Sequence, residues 1–587
     1  MTMTATPSSS EISASTSAAP ADEERCDVCI IGAGWSGLLA ARHMRENGLT
    51  VLLLERREGL GGVWRYTPDP EVVSVMRTTI TSSSAAVTEA SDFPMSPELG
   101  NFLHHADVLR YLERYAAHFD LTRLIRFGCS VEGAEKRDDR WIVRASGGRR
   151  VSARFLVVST GTNQRRRESI PRLAGFVGET THAGRIKEIK PEDFSAEDNV
   201  LVFGGGETAS DIVEQLTKTE ASITWSIPRG QHFFRKAAFP DRQAPGQYQR
   251  GDSPLDEASS RCIQLVSPFH REKPGMKWLC LIGSTGSVLG YEGHGIPQWR
   301  KDVPFMRAFV NKNGHVVEFV KTGRVSARGL VAKSSGQRVH FEDGHAEDFT
   351  RVILCTGYQT SFPYLPEQLS RRGVEERYKL IFDPDDPTVA FIGFARPNVG
   401  SIPMMTEPQC FYAARVFSGQ VKLPARARML AEIDEDRARR DAYFCGQRRS
   451  PGLVHCFHYG YEVARLAGVM PRFGSLLLRS PLVWFKTFFA PANCAQFRLF
   501  DPATRRAAAN QMWRRQRVRY FVYPAIYVAA RLLQVDRVVG AAQRVYMRLQ
   551  RRAERAAPQR REPVAAAISS SRLQPVSATP RGARRAS

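Results

Sequence analysis

Twice in this chain an apolar, strand-like run ends in a glycine-rich turn that opens a helix, and a polypeptide built that way has few folds to choose from. The first copy is "CDVCIIGAGWSGLLAARHM" at 26–44 and the second is "NVLVFGGGETASDIVEQL" at 199–216. Runs as short as "DVCII" and "VLVF", bounded by turn residues, read as strands buried on both faces of a parallel sheet. Gly32, Gly34 and Gly37 hold the spacing G-x-G-x-x-G. The first bends the chain tightly, the second admits a pyrophosphate to the backbone, and the third lets helix and strand pack closely. In the second copy Gly204, Gly206 and Ala209 take those places, and alanine is still small enough for the third. A phosphate belongs at the positive N-terminus of each helix.

The strand after each turn separates the two copies. "LTVLLLERREGLGGVW" ends its run in Glu55, a carboxylate able to accept both hydrogen bonds of an unphosphorylated ribose diol. "ASITWSIPRG" ends instead in Ser226 and Arg229, and a guanidinium there suits a 2′-phosphate. Opposite ribose chemistries in one chain predict FAD at the first site and NADPH, rather than NADH, at the second. Arg235 and Lys236 stand close enough to share the phosphate, or simply form a basic loop.

Several further motifs accompany the fingerprints in order. Gly61, Gly62 and Trp64 form "GG-x-W" behind Glu55; "FVGETTH" places Phe176, Gly178 and His182 in F-x-G-x-x-x-H; "STG" stands at 159–161 and "LCTGY" at 354–358. "SDFP" at 91–94, "FEDG" at 341–344, "TEPQ" at 406–409 and "FRLFDP" at 497–502 complete the set. Over residues 26–505 the chain resembles the flavin-containing monooxygenases, the class B flavoproteins with two dinucleotide-binding domains. The resemblance implies that Gly62 and Trp64 lie beside FAD and that His182 sits in the linker between nucleotide domains. It implies reduction of FAD by NADPH, addition of O2 at the flavin C4a position to give a hydroperoxide, and oxygen transfer to a soft nucleophile such as a tertiary amine or thioether. The expected activity is thus of the N,N-dimethylaniline monooxygenase type.

Two departures bear on that expectation. Ile186 stands where the family signature carries an aromatic residue, so the signature does not separate heteroatom oxygenation from Baeyer–Villiger oxidation of ketones. In the segment "TTITSSSAAVTEASDFP", Ser82 falls where many members carry a flavin-facing Asn, and Ala85 where they carry a Lys. Ser82 is carried over as the catalytic position, although a hydroxyl lacks the separate amide donor and acceptor. The alternatives are a Baeyer–Villiger enzyme, or an uncoupled, NADPH oxidase-like flavoprotein whose basic tail contacts a membrane or a partner.

The expected fold class is α/β: two Rossmann-like domains, the NADPH domain inserted in the FAD domain, with a helical basic C-terminal extension. The boundaries begin with a disordered tail at 1–24, the first segment of the FAD domain at 25–195 and the NADPH domain at 196–340. The FAD domain resumes at 341–445, before a helical region at 446–560 and a disordered basic tail at 561–587. In this scheme "RVILCTGY" and "TVAFIGFARP" are strands that return to the first sheet. Glu407 and Gln409 need no chemistry, since Pro408 and a Glu near a helix start suit the helix itself.

Net charge is +23 over 587 residues, with much of the excess in arginines near the C-terminal end. From 505 onward apolar residues interleaved with arginine suggest an amphipathic helix that lies on an anionic membrane surface or packs on the protein. No nucleic-acid reading motif accompanies the charge, and no nucleic-acid partner is expected. Ten cysteines without regular spacing suggest free thiols, and Cys26 and Cys29 lie on a strand rather than at a helix N-terminus. No zinc-ligand or nucleophile-elbow motif competes with a flavin, so no metal is expected. The N-terminal segment lacks the features of a secretion signal, although its Ser/Thr/Ala richness leaves a plastid address open. The expected location is cytoplasmic, with peripheral membrane contact open. Expected partners are a small-molecule substrate and O2.

Overall fold

The computed structural model describes residues 23–228, 231–233, 236–238, 253–258, 260–262, 307, 309–444 and 451–514. Two parallel-stranded sheets dominate. In the first, Glu23–Ile31 is central, flanked in parallel by Val51–Leu54 and Arg150–Val158. Ile125–Arg126 extends one edge in parallel. A meander of Val131–Arg137 and Arg140–Ala145 pairs antiparallel with the start of Arg150–Val158, while Val389–Phe391 pairs in parallel with its end. The register aligns Ile30 with Leu53 and Val157, so the strands stack apolar side chains on both faces. Ile30, Leu53 and Val157 are fully buried. Glu23 and Glu24, placed in the tail by composition, begin the central strand instead, and Glu24 is anchored there by Arg126 and Arg149.

The second sheet runs Ser326–Arg328, Ser222–Ser226, Asn199–Phe203, Arg351–Leu354, Glu179–His182, all parallel. Here the sequence expectation is corrected. Arg351–Leu354 does not return to the first sheet; it lies between Asn199–Phe203 and Glu179–His182, with Leu354 in register with Phe203 and His182. An apolar run announces a strand but carries no record of its sheet. Glu179–His182, assigned to the first domain, is likewise the edge of the second; its exposed polar residues hide its strand character. Val389–Phe391 does rejoin the first sheet.

Helix Trp35–Glu46 packs against Ile402–Phe417, a helix capped by Ser401, whose Oγ accepts from the Met404 N–H at 3.2 Å. Beyond it, Cys456–Leu466, Phe473–Arg479, Pro481–Phe489 and Pro502–Met512 make the described portion of the C-terminal region helical. The basic segment beyond 514 lies outside the described residues, as do most of the two tails. Among the described residues no helix is long and apolar enough to cross a membrane. Cys26 and Cys29 are both buried in the central strand, and burial pushes the Cys26 thiol up to about 12.

Candidate functional site

The first turn is shaped by contacts that only glycine allows. Gly32 has φ +101°, and a Cβ there would stand 2.9 Å from the Ser159 carbonyl oxygen. At Gly37 a Cβ would fall 1.9 Å from the Gly32 carbonyl oxygen, so the helix start sits directly on the turn. Gly34 and Gly62 face each other: a Cβ on Gly62 would meet the Gly34 Cα at 3.1 Å, and one on Gly34 would meet the Gly62 Cα at 3.6 Å. The "GG-x-W" segment is thereby brought against the fingerprint, tied by the Gly61 N–H donating to the Ala33 carbonyl at 3.0 Å. Trp64 closes a short helical turn, Gly62–Trp64, half-buried against the core.

Glu55 is buried at the end of its strand. The Ala33 N–H donates to its Oε2 at 2.8 Å and the Arg57 N–H to its Oε1 at 2.9 Å. Two backbone donors fix the carboxylate as an acceptor beside the turn, with lone pairs left for a ribose diol. These residues fit the adenosine and pyrophosphate of a dinucleotide.

The second turn repeats the geometry more loosely. Gly204 has φ +134°, and a Cβ there would stand 2.6 Å from the Cys355 carbonyl oxygen; Gly206, at the N-cap of Glu207–Leu216, has open space where its Cβ would be. Ala209 is fully buried within that helix. The room at Gly206 fits a pyrophosphate. Ser226 is fully buried and its Oγ donates to the Gly329 carbonyl at 2.7 Å, so its hydroxyl is turned into the sheet rather than toward a ribose. Arg229 and Arg235 lie outside the described residues. Lys236 is buried among Asp211, Glu207 and Glu214, which sets it in the protein's own charge network.

A segment of the first domain reaches this second turn. Ser82 Oγ donates to Glu207 Oε2 at 3.2 Å, and the Lys312 N–H donates to Glu207 Oε1 at 3.4 Å. Lys312 Nζ donates to Ser83 Oγ at 2.8 Å and to the Gly400 carbonyl at 2.9 Å; the Ser84 N–H donates to Asp256 Oδ2 at 2.8 Å. Residues 82–84 thus bridge the two nucleotide-binding units. Nearby, burial pushes the Asp211 carboxyl up to about 7 against the pull of Lys236.

A family model described as FMO-like, flavin-binding monooxygenase-like, matches residues 25–240 and 263–524. The chain belongs to that family.

A curated relative, dimethylaniline monooxygenase [N-oxide-forming] 2 of Rattus norvegicus, is 30% identical over 82% of this chain and 90% of its own length. A 4-hydroxybenzoate brominase (decarboxylating) of Marinomonas mediterranea is 28% identical over 81% of this chain and 90% of its own. Among solved structures, the S-allyl-L-cysteine S-oxygenase of Allium sativum superposes with TM-score 0.54 at 19% identity, covering 84% of this chain and 99% of its own, and shows the shared fold. The protein is a flavin monooxygenase, an oxidoreductase whose cofactors are FAD and NADPH, with O2 and a small molecule as its reactants.

Three family motifs without an assigned task converge in this flavin monooxygenase. Glu407 of "TEPQ" is fully buried and accepts from His43 Nε2 at 3.2 Å, from the Ser91 N–H at 3.0 Å and from the Ser91 hydroxyl. Arg498 of "FRLFDP" donates from Nε to Ser91 Oγ at 2.7 Å, forks onto Glu46 at 2.7 and 3.0 Å, and meets Asp92 of "SDFP" at 2.9 Å. Burial pushes Glu46 up, but the bonds from His43 and Arg498 outweigh it and hold that carboxyl far below the usual range. Gln409, also fully buried, donates to Tyr459 Oη at 2.6 Å and accepts from the Gly393 N–H at 2.9 Å. The helix-start reading of Glu407 and Gln409 missed this, because the partners of Glu407 lie hundreds of residues away.

His182, expected in the linker between the nucleotide domains, instead ends the edge strand of the second sheet. Its Nδ1 accepts from the Gly184 N–H at 3.0 Å, which assigns the proton to Nε2, and Nε2 donates to the Gly357 carbonyl at 3.1 Å. Tyr358 packs edge-on against the ring at 5.3 Å. Burial lowers the imidazole's affinity for a second proton, in keeping with a neutral structural histidine.

Proposed function

We propose that this flavin monooxygenase transfers one oxygen atom of O2 to a soft nucleophilic nitrogen or sulfur of a small molecule. FAD and NADPH supply the oxygen and electron chemistry when bound; the protein's role is to bind, orient and exclude water. In this reading Gly32, Gly34, Gly37, Glu55, Gly62 and Trp64 hold FAD. Gly204, Gly206, Ala209 and Arg229 hold NADPH, with Ser226 serving as a wall of the sheet. The second domain then includes Glu179–His182 and Arg351–Leu354. The observation that supports the proposal is the pair of glycine turns bridged by residues 82–84, with Ser82 of the first unit bonded to Glu207 at the start of the second unit's helix.

The test is rapid mixing of NADPH-reduced enzyme with O2 in the presence of NADP⁺. The expected result is a long-lived absorbance, distinct from reduced and oxidised flavin, that collapses when N,N-dimethylaniline or a thioether is added and yields the N-oxide or sulfoxide. Immediate return to oxidised flavin with stoichiometric peroxide would overturn the proposal in favour of an oxidase. Lactone or ester formed from a ketone, with amines and thioethers inert, would overturn it in favour of Baeyer–Villiger chemistry.

Ser82 enters as a positioning residue. Its hydroxyl restrains a carboxylate, Glu207, in the first turn of the helix where the NADPH phosphates belong. Released, that carboxylate repels them. Ser82→Ala is therefore expected to raise KM for NADPH roughly threefold to tenfold, the worth of about 1 kcal/mol, with kcat and peroxide leakage unchanged, and Ser82→Thr is expected to restore KM. Unchanged KM with a fall in kcat and a rise in peroxide would return Ser82 to the flavin side.

A further inference from the structure

Beside the short antiparallel pair of Arg165–Arg166 and Tyr358–Gln359 lies a cleft of about 810 Å³ that none of the chemistry above uses. Four arginines line it, Arg165, Arg166, Arg167 and Arg185, against two acids, Glu71 and Glu168. Both acids are already engaged. Arg166 meets Glu71 at 3.3 Å, and Arg185 bonds to Glu71 and, at 2.9 Å, to Glu168. Four cations less two anions leave two positive charges, and they fall on Arg165 and Arg167, exposed residues with no carboxylate partner among the described residues.

The backbone around them is hydrogen-bonded. Arg166 and Arg165 pair antiparallel with Tyr358 and Gln359, the Arg167 N–H donates to the Gly357 carbonyl at 3.1 Å, and the Arg166 side chain is only 8% exposed. Within that buried guanidinium Nε has no hydrogen-bond partner, an unmet donor of a kind folded proteins rarely leave. The position is also one where α/β proteins bind ligands. Arg185 and Gln359 follow the carboxyl ends of Glu179–His182 and Arg351–Leu354, the same end of this parallel sheet at which the Gly204 turn follows Asn199–Phe203.

We infer that this arginine cleft is a binding site for a doubly charged oxyanion group carried by a small molecule, held by Arg165 and Arg167 with Arg166 beneath. Guanidinium forks match phosphate and carboxylate oxygens two at a time, and a volume of this size accommodates an organic molecule bearing such a group. The group has two possible sources: a free or substrate-borne anion, or a phosphate of the nicotinamide dinucleotide itself. The inference does not depend on which atom the enzyme oxygenates.

The experiment is calorimetric titration of inorganic pyrophosphate into the oxidised, FAD-loaded full-length enzyme, with and without saturating NADP⁺, for the wild type and the Arg165→Gln/Arg167→Gln double variant. Both positions are exposed, so the fold should tolerate the exchange; retained FAD absorbance and an unchanged melting temperature check it. The expected result is saturable binding that weakens at least tenfold in the double variant and falls with added salt. Binding that survives NADP⁺ and requires the arginines assigns the cleft to a separate anion. Arginine-dependent binding abolished by NADP⁺ assigns it to the dinucleotide's phosphate. Absence of saturable binding, or equal affinity in wild type and variant, overturns the inference. An Arg165→Lys/Arg167→Lys variant keeps the charge without the fork and is expected to fall between the two.

Discussion

Gly37→Ala yields a protein that no longer retains FAD. The added methyl would stand 1.9 Å from the Gly32 carbonyl oxygen, 3.0 Å from its carbon and 2.9 Å from Ser159 Oγ. Two of those atoms are backbone of the turn itself, so relief requires the helix Trp35–Glu46 to lift from the strand that ends at Ile31. The lift displaces the helix N-terminus from the pyrophosphate and separates Gly34 from Gly62. At about 3 kcal/mol, the upper range of overpacking costs, affinity falls about a hundredfold. Flavin absorbance after gel filtration, and titration of the apoprotein with FAD followed by flavin fluorescence, measure it. The reciprocal change in the second fingerprint, Ala209→Gly, creates no clash and is expected to cost about 1–2 kcal/mol of stability, from helix propensity and the lost buried methyl. Native FAD affinity in Gly37→Ala would show that the close approach of helix to turn is not what shapes the first site.

The second large effect lies away from both nucleotides. Arg498→Met removes the nearer of two arginines that meet Glu46 and Asp92, leaving those carboxylates to Arg42 at 3.5 and 3.2 Å, and Arg498 is almost wholly buried, with its side chain 6% exposed. Breaking one side of a buried ionic cluster costs about 3–5 kcal/mol, read as a fall in the midpoint of chemical unfolding with early loss of flavin. Arg498→Lys keeps a charge but not the fork onto Glu46, and an intermediate loss is expected.

The pH profile of the wild type carries the same signature. Burial pushes Glu407 up and His43 down, but their mutual bond outweighs it, lowering the carboxyl and raising the imidazole. The lowered carboxyls of Glu407 and Glu46 contribute stability above the unfolded carboxylate range, near about 4.3, and lose it as pH falls through their folded values. The raised His43 contributes fully below its unfolded value of about 6.5 and loses it as pH rises through the folded one. The two contributions overlap between about pH 4.5 and 6.5. The difference in stability between wild type and a His43→Gln variant is expected to be largest there and to shrink above neutrality; a difference that stays flat with pH would show that His43 is held neutral.

How much the sequence disclosed depends on the range over which its signals act. The glycine turns and Glu55 are legible because spacing within one strand–turn–helix unit fixes their geometry, and the structure places Glu55 on the Ala33 N–H accordingly. Sheet membership is a non-local property, and there the reading of Arg351–Leu354 and Glu179–His182 went astray. Ser226 sits in register for a ribose contact, yet its hydroxyl turns to Gly329, a partner brought in by a strand a hundred residues later. Glu207 carried a signal that went unread: an acidic side chain one residue past a phosphate-binding glycine asks for something to restrain it, and Ser82 and Lys312 are what the fold supplies. "SDFP", "TEPQ" and "FRLFDP" are recognisable strings, but their meaning is one another.

That last convergence sets the order in which the protein can be completed during synthesis. Arg498 closes on Glu46 across a separation of 452 residues, and Glu407 reaches Ser91 across 316. The first flavin fingerprint therefore leaves the ribosome long before Arg498 exists to meet Glu46 at the end of its helix, and that contact must wait while the whole second nucleotide unit is made. Contacts of such separation form late, after their loop-closure entropy has been met by nearer ones. A nascent chain halted before residue 498 should hold its strands without sealing them, and it is in that interval that chaperones and proteases would find this enzyme most accessible.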